Sequence, residues 1–455
     1  MKRLRPILAW LLIALLLTPV LSLAEQNTDP TGEPEPTSEE AAATPFPFGA
    51  SVGMDDEQRA AREKDQQQIL KSAVAPGIFV AEALNFSHPY FAKNEHKQFQ
   101  PGSTTKIMTA LLTIETVSLD DVAKAPREAT QLGGSNTMLG LATGEEMRVE
   151  DLLYGLMLVS GNDCAITLAV YQAGSENAFT ERMNRRAAEL GMTDTSFTNP
   201  SGRPKGSNLS TAYDMALLTQ EALQHEAFRT IVSTAEYTIP ANAMRSRPKT
   251  IRNSNRLVSD APGKGYHYPY AIGVKTGATG YGTCLVNAAQ KEDVTIICVQ
   301  LGVPGEDFDG NRRELFTRAI KMFDHVFNYE YAYVDAEALL SGYTDSMLVQ
   351  NADPDDPEGG RLLLRVDPAG ATAFRPIREI DALTTGEASF TVETSDLHAV
   401  APVHTGDVAG KATFSCNGRV WYELPLVAAR DVAPVPTPVP PTPLPTSVIS
   451  SATPG

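Results

Sequence analysis

The chain has 455 residues, of which 42% are hydrophobic and 7% aromatic, and this length allows two or three domains with a sizeable core. Its formal net charge of −17 argues against nucleic acid as a partner and against electrostatic docking on anionic lipid. The seven histidines and four cysteines show no metal-ligand spacing, so we expect no metal and no cofactor. Buried free thiols are expected, and a bridge between Cys284 and Cys298 on neighbouring predicted strands is the alternative.

The first 24 residues predict a secretory signal peptide. Lys2, Arg3 and Arg5 precede an apolar run at 7–17, and small residues at 22–24 suit cleavage after position 24. An uncleaved membrane anchor is the alternative. Either form would place the rest of the chain outside the cytoplasm, secreted or associated with the cell envelope.

Composition divides the remaining chain into four segments. Residues 25–54 are acidic and proline-rich and predict a disordered linker, and residues 431–455 predict a proline-rich, polyproline-like tail. Residues 55–330 mix strand and helix patterns, whereas residues 331–430 show short strand patterns separated by turn residues. We therefore predict a catalytic α+β domain followed by a small β-rich domain.

Strand patterns stand at both ends of residues 55–330, with helical periodicity between them. The predicted strands are 78–84, 90–92, 271–274, 283–289 and 294–301. The predicted helices are 106–116, 149–159, 178–190 and 312–326. In the β-rich domain the clearest strand patterns are 362–366, 388–392, 397–403 and 420–426. This order predicts a sheet in the first domain that pairs its two ends.

Residues 101–106, PGSTTK, stand where a loop opens into a predicted apolar helix. Positions i and i+3 of a helix share a face, so the Lys106 amine can reach the Ser103 hydroxyl. A neutral lysine can serve as base for a serine nucleophile if burial or nearby positive charge lowers its pKa. A second Ser-x-x-Lys, at Ser246 to Lys249, contains Pro248 and lacks helical flanks, so we interpret it as chance.

Two further polar motifs follow along the chain. Ser160, Gly161 and Asn162 close a predicted helix, and Gly161 allows a left-handed turn that leaves both polar side chains free to enter a cleft. The tripeptide Lys-Thr-Gly at 275–277 follows the predicted strand 271–274 and suits capture of a terminal carboxylate. An ordinary helix end and a solvated strand end are the respective alternatives.

Together the three motifs carry more weight than each alone, because they occur in the order Ser-x-x-Lys, Ser-x-Asn, Lys-Thr-Gly. The sequence resembles the low-molecular-mass penicillin-binding proteins that are D-alanyl-D-alanine carboxypeptidases. The resemblance is carried by PGSTTKIMTA at 101–110, VSGND at 159–163, STAYDMA at 210–216 and GVKTGAT at 273–279. It covers about 77–329, and more loosely the chain to 430. It implies a β-lactamase/transpeptidase-like domain, with an antiparallel sheet flanked by helices and a helical subdomain, followed by a small β-rich domain.

The resemblance also implies a serine-peptidase reaction on peptidoglycan stem peptides. Ser103 would attack the carbonyl between two terminal D-alanines, with Lys106 as base. Ser160 would pass the proton to the leaving amine, and water would then release the shortened peptide. β-Lactams would act as inhibitors by acylating Ser103.

Substrate recognition is implied for four further residues. Asn162 would hold the peptide backbone, and Lys275 and Thr276 would bind the terminal carboxylate. The backbone N–H groups of Ser103 and Ala278 would form the oxyanion hole.

The chain departs from the family pattern in two places. Many members end in an amphipathic helix that lies on the membrane, whereas this chain ends in prolines, so membrane attachment through the C-terminus is not expected. Asn208 stands where a histidine is frequent in relatives.

Three other functions share parts of this pattern. A serine β-lactamase would need a deacylating glutamate loop, which residues 199–211 lack. A transpeptidase would use the same acyl-enzyme with an amine acceptor. A non-catalytic wall-binding protein would have lost Ser103, Lys106 or Lys275, and all three are present.

Overall fold

The structure is a computed structural model that describes residues 56–72, 77–134, 136–203, 208–280, 282–304 and 310–437. The predicted signal peptide at 1–24, the predicted linker at 25–54 and positions 438–455 of the predicted tail lie outside the described residues. Within these ranges, every helix is either too short or too polar to cross a membrane.

The first domain is a sheet with helices on both faces. Its helices are α1 (Asp56–Ser72), α2 (Lys106–Thr116), α3 (Arg127–Thr130), α4 (Val149–Met157), α5 (Asn162–Ala173), α6 (Glu176–Glu189), α7 (Ala212–Ala222), α8 (Glu226–Ser233), α9 (Arg256–Ser259) and α10 (Gly310–His325). Its strands are β1 (Gly77–Glu82), β2 (Phe91–Lys93), β3 (Val122–Lys124), β4 (Glu146–Arg148), β5 (Glu236–Ile239), β6 (Lys249–Arg252), β7 (Ala271–Thr279), β8 (Gly282–Lys291) and β9 (Val294–Val303). A 3-10 turn, Gly102–Thr105, leads directly into α2.

The main sheet is antiparallel and has the strand order β2-β1-β9-β8-β7. The pairing of β1 with β9, from Gly77 opposite Leu301 onward, confirms the prediction that the sheet joins the two ends of the domain. Successive side chains of β1 alternate between two cores, because Phe79 packs on one face and Ile78 on the other. Burial on both faces explains why this strand reads as a continuous apolar run.

Helix α2 lies at the centre of the helical layer and contacts α4, α5, α7 and α8. Its side chains are buried nearly all the way round, including Ile107, Met108 and Leu111. A helix that is apolar on all sides is held by tertiary packing. The 3-10 turn at the start of this helix contacts β7, the edge strand of the sheet. The fold thus presents the start of a rigid central helix to a sheet edge.

The second domain is built around a five-stranded antiparallel sheet of order β11-β12-β16-β15-β14. Its elements are β10 (Tyr331–Asp335), α11 (Ala336–Leu340), β11 (Thr344–Leu348), β12 (Arg361–Val366), β13 (Thr372–Pro376), α12 (Ile377–Thr385), β14 (Thr391–Ser395), β15 (Val408–Cys416) and β16 (Arg419–Ala428). Its own core includes Phe414, Leu424 and Leu426. The structure therefore confirms the predicted α+β class with a β-rich second domain.

Two details of the second domain differ from the sequence predictions. Residues 397–403 do not form a strand, and only isolated bridges at Val400 and Val403 connect them to other segments. Ordered backbone also continues past the predicted start of the tail at 431. Val432 exchanges two backbone hydrogen bonds with Val403, and the Val435 N–H donates to the Asn351 carbonyl.

Candidate active site

A cleft of about 340 Å³ opens between the start of α2, the end of α4 and the edge strand β7. The residues that line it are mostly small and polar: Ser103, Thr137, Leu158, Val159, Ser160, Arg252, Ser254, Thr276, Gly277 and Ala278. Because β7 is an edge strand, its outer side can accept an extended peptide by strand addition. The cleft thus combines hydroxyl groups, a guanidinium and an open strand edge.

The predicted pair of Ser103 and Lys106 meets at this cleft. Ser103 lies in the 3-10 turn and Lys106 begins α2, so the helical geometry places the Lys106 Nζ 3.0 Å from the Ser103 Oγ. Lys106 is fully buried, whereas Ser103 is partly exposed and lines the cleft. By contrast, Ser246 of the second Ser-x-x-Lys is exposed, and Lys249 donates to the Leu139 carbonyl.

Two further contacts fix the orientation of the Lys106 amine. The Nζ lies 2.8 Å from the Asn162 Oδ1 and 2.6 Å from the Ser201 carbonyl oxygen. Both oxygens can only accept hydrogen bonds, and the Asn162 Nδ2 donates to the Asn136 Oδ1, which fixes the direction of that amide. A neutral amine has two N–H groups, so these two acceptors take both and leave the lone pair for the Ser103 hydroxyl.

The surroundings of Lys106 favour this neutral form. Burial, and then the positive charge of Lys275, hold the pKa of Lys106 well below its ordinary value. Asp163 has the opposite effect on Lys106, but its carboxylate accepts the backbone N–H groups of Leu139, Gly140 and Leu141. A neutral buried amine beside a hydroxyl can act as a general base.

Ser160 occupies a strained position at the junction of α4 and α5. It has φ +66°, a left-handed conformation that costs a non-glycine residue about 1–2 kcal/mol. Its Oγ is buried and has no hydrogen-bond partner among the described residues, although Ser160 lines the cleft. Strain together with an unpaired buried hydroxyl is typical of a functional position.

The left-handed turn that the sequence assigned to Gly161 was therefore predicted at the wrong residue. Gly161 has φ −59° and precedes the first residue of α5, Asn162. Glycine is needed here for space, because a Cβ would lie 2.8 Å from the Asp163 Oδ1 and 3.0 Å from the Cys164 Sγ. The motif thus connects two helices instead of ending one.

The Lys-Thr-Gly motif lies inside β7, which continues to Thr279 and does not end before Lys275 as predicted. The Thr276 Oγ1 lies 2.8 Å from the Ser254 Oγ, and both residues line the cleft. Gly277 packs so closely that a Cβ would lie 2.9 Å from the Pro101 carbonyl oxygen. Lys275 is 1% exposed and is not among the lining residues, so its charge acts on the cleft from behind the strand.

The structure thus brings six of the seven predicted site residues to the cleft or to the Lys106 amine, while Lys275 acts through its charge. Ser103, Ser160, Thr276 and Ala278 line the cleft, and Asn162 contacts Lys106 behind it.

Sequence reasoning missed several groups at the site. Ser254 and Arg252 line the cleft after β6, and no short motif marks them. The Ser201 carbonyl and the Asn136 side chain reach Lys106 or Asn162 from loops far away in sequence. The segment NPSG at 199–202 was noted for its resemblance to relatives, and it was the signal that pointed to this loop.

The cysteines and the acidic clusters take no part in the cleft. All four cysteines are free and buried, so the alternative of a bridge between Cys284 and Cys298 is wrong. Within the described ranges, one group has a metal-ligand arrangement, formed by Glu115, Glu221 and His225. Arg186 donates to both of these carboxylates, which makes the group an ion-pair cluster.

Comparison with known proteins agrees with this geometry. A family model described as D-alanyl-D-alanine carboxypeptidase matches residues 87–305. The chain is 34% identical over 244 residues to the D-alanyl-D-alanine carboxypeptidase DacF of Bacillus subtilis, a match that covers 52% of this chain and 58% of that protein. It is 33% identical over 228 residues to the D-alanyl-D-alanine carboxypeptidase of Streptomyces sp. strain K15, which covers 46% of this chain and 76% of that protein.

A solved structure supports the same assignment. The crystal structure of the Streptomyces K15 DD-transpeptidase aligns with a TM-score of 0.51 and 29% identity, covering 56% of this chain and 98% of that one. The chain spans less than two thirds of the Bacillus relative but most of both Streptomyces proteins. The matched region contains all seven predicted site residues, and the chain belongs to the D-alanyl-D-alanine carboxypeptidase family.

Proposed function

We propose that the protein is a serine-type D-Ala-D-Ala carboxypeptidase that removes the terminal D-alanine from peptidoglycan stem peptides. The observation that carries the proposal is the Lys106 amine, 3.0 Å from the Ser103 Oγ, with two acceptors taking its N–H groups. This arrangement leaves the lone pair of a neutral amine aimed at the nucleophile. Membership of the family supplies the substrate class.

The reaction balances with these groups alone. Ser103 Oγ attacks the carbonyl carbon between the two D-alanines while its proton passes to Lys106. The proton then moves to the leaving amine through the Ser160 hydroxyl, and the peptide C–N bond breaks to release D-alanine. Water adds to the acyl-enzyme ester, the Ser103 Oγ–acyl bond breaks, and the shortened peptide leaves with a new carboxylate.

Charge that develops on the carbonyl oxygen would be stabilised by the backbone N–H groups of Ser103 and Ala278. This role is supported by the position of both residues on the cleft wall. The terminal carboxylate would be held by the Thr276 and Ser254 hydroxyl groups, with the buried charge of Lys275 behind them.

Asn162 has two proposed roles, of which one follows from its contacts. Its Oδ1 orients the Lys106 amine, while its Nδ2 is bonded to Asn136. A contact between Asn162 and the peptide backbone, as the family resemblance implies, would require the Nδ2 to exchange Asn136 for the substrate.

Of the rival activities, transpeptidation is the nearer, because the K15 relative of known structure is named a DD-transpeptidase. It would use the same acyl-enzyme with an amine in place of water. A β-lactamase is less well supported, because no carboxylate stands among the described residues that line the cleft to activate a deacylating water. β-Lactams would then acylate Ser103 and leave slowly.

The site of action would be the cell envelope. The proposal rests on the signal-peptide pattern of residues 1–24 together with a substrate class that lies outside the cytoplasm.

The activity can be tested with diacetyl-L-lysyl-D-alanyl-D-alanine as substrate and D-alanine release as the measured quantity. We expect release by the wild-type protein, none by Ser103→Ala, and none from the same peptide ending in L-alanine. Failure of the wild type to release D-alanine, while it is still acylated by penicillin, would instead favour transpeptidation. No release and no acylation would overturn the proposal.

A further inference from the structure

The loop that follows Phe197 contributes a backbone group to the catalytic lysine. The Ser201 carbonyl oxygen lies 2.6 Å from the Lys106 Nζ, although the two residues are 95 positions apart in the chain. Within the loop, the Asn199 Oδ1 accepts the N–H groups of Ser201 and Gly202 at 3.1 and 2.8 Å. These bonds make residues 199–202 a single tight turn, but they do not connect the turn to α2.

That connection is made by Asn208, a side chain outside the turn. Asn208 is only 4% exposed, and its Nδ2 donates to the Thr105 Oγ1 at 3.0 Å and to the Asn199 carbonyl at 3.1 Å. Its Oδ1 accepts the Thr198 N–H at 2.7 Å, the Thr198 hydroxyl at 2.9 Å and the Asn199 N–H at 3.2 Å. One amide therefore ties the start of the turn to the residue that precedes Lys106.

We propose that Asn208 is a positioning residue for the reaction, because it sets the place of the Ser201 carbonyl relative to the Lys106 amine through Thr105 and Asn199. The inference deepens the proposed function and rests on it, since Lys106 must be the base. Asn208 itself does not line the cleft and does not touch the reacting atoms.

The consequence for catalysis follows from the geometry of the amine. A neutral lysine has two N–H groups, and the lone pair faces Ser103 only while both are held by the Ser201 carbonyl and the Asn162 Oδ1. If the turn drifts, one N–H loses its acceptor and the amine can rotate its lone pair away from the Ser103 hydroxyl. A misplacement of about 1 Å in such a geometry costs about 10²-fold in rate.

No other standard side chain reproduces these contacts at position 208. The amide both accepts from two backbone N–H groups and donates to a hydroxyl and a carbonyl. An aspartate would keep the acceptor but place a carboxylate oxygen against the Asn199 carbonyl. Alanine would remove both functions.

A merely structural role predicts something different, namely loss of stability without a specific loss of chemistry. Asn184 offers a matched control, because it binds the same segment one residue earlier. Its Oδ1 accepts the Phe197 N–H at 2.8 Å, and its Nδ2 donates to the carbonyls of Phe197 and Thr180 at 2.8 and 3.1 Å. It makes no contact with Thr105 or Lys106 that the structure shows.

The experiment compares Asn208→Ala with Asn184→Ala in the full chain. The rate constant for acylation by a fluorescent penicillin is measured from pH 5 to pH 10, and thermal unfolding is measured in parallel. We expect Asn208→Ala to lose about 10- to 100-fold in the acylation rate constant and Asn184→Ala to stay within about threefold. The acid limb of the pH profile should also move to higher pH in Asn208→Ala, because water that reaches the loosened amine raises its pKa.

Thr105→Val keeps the test decisive if Asn208→Ala does not fold. This variant removes only the hydroxyl that accepts from Asn208, and it should show the same shift of the acid limb. In a folded Asn208→Ala background, adding Thr105→Val should change the rate by less than about threefold, since both act through one contact.

The possible results separate the inference from the function on which it rests. If the wild type releases D-alanine but Asn208→Ala and Asn184→Ala lose the same factor, or if neither the rate nor the acid limb moves in Thr105→Val, Asn208 is only structural. If the wild type is neither acylated nor active, the proposed function has failed first.

Discussion

Gly202 offers a test of how tightly the turn at 199–202 is packed against the nucleophile. It has φ +75°, and a Cβ added there would lie 1.8 Å from the Gly102 carbonyl oxygen and 3.0 Å from the Thr105 Oγ1. Gly102 precedes Ser103, and Gly202 follows the residue whose carbonyl contacts Lys106. A single methyl group at position 202 would therefore displace the nucleophile and the base from each other.

The size of the effect can be worked from these distances. A Cβ closer than 3.0 Å to a backbone atom is essentially never tolerated, so Gly202→Ala must separate the two backbones by about 1.2 Å. A misplacement of this size costs about 10²-fold in rate. The positive φ adds about 1–2 kcal/mol to the loss of stability, and overpacking adds about 1–3 kcal/mol.

Gly191→Ala is the matched control for this prediction. Gly191 also has φ +75°, but no atom lies within 4 Å of the position of its added Cβ. Both variants therefore carry the same backbone strain, and only Gly202→Ala carries the clash. We expect acylation by penicillin to fall about 100-fold in Gly202→Ala and by less than about threefold in Gly191→Ala, below the unfolding temperature of each. Equal rates in the two variants would show that the turn is not packed as described.

Three further predictions concern the charged groups and the ends of the chain. Because the pKa of Lys106 is lowered, wild-type acylation should fall about tenfold per pH unit as the pH drops below that pKa, and Lys106→Arg, which cannot deprotonate, should lose at least about 10²-fold; activity within threefold would remove Lys106 from the mechanism. Lys275→Gln should move the acid limb to higher pH and lose most of the preference for a peptide ending in free D-alanine over its amide, measured as the ratio of kcat/KM values; an unchanged ratio would place carboxylate recognition elsewhere. A chain of residues 56–437 should keep the activity of the full chain on a soluble peptide, whereas ending it at 431 should lower the unfolding temperature because the bonds of Val432 are lost.

The parts of the site that the sequence predicted are those fixed by local geometry. Ser103 and Lys106 are one helical turn apart, so their contact depends only on the helix that contains them. The turn at Ser160 was placed correctly, but its left-handed residue was not, because glycine is the usual choice at positive φ. Packing against Cys164 reserves glycine for the next position, and that neighbour is not visible in the motif.

The remaining parts depend on contacts between distant segments. The Ser201 carbonyl reaches Lys106 across 95 residues, and Ser254 reaches Thr276 from the far side of a turn. Backbone carbonyls and single hydroxyl groups carry no sequence signature of their own, so pattern analysis finds the residues of a motif but not the groups that orient them.

The fold shows the same division. The strands of the main sheet were predicted from apolar runs, and their pairing followed from their positions at the two ends of the domain. The predicted strand at 271–274 stopped too early, because Lys275 and Thr276 are polar residues that a partly buried edge strand accommodates beside the cleft. Helices α11 and α12 were missed because their 5 and 9 residues are too few to show a clear helical period.

The central claim is that Ser103 carries the acyl group, and it is tested most directly by locating the covalent adduct. The protein is incubated with penicillin, digested, and analysed by mass spectrometry for the peptide that gains the mass of the drug. We predict that the adduct lies on Ser103, that it is absent from Ser103→Ala, and that its formation slows as the pH falls. An adduct on a peptide containing Ser160 or Ser246, or one that persists in Ser103→Ala, would contradict the account.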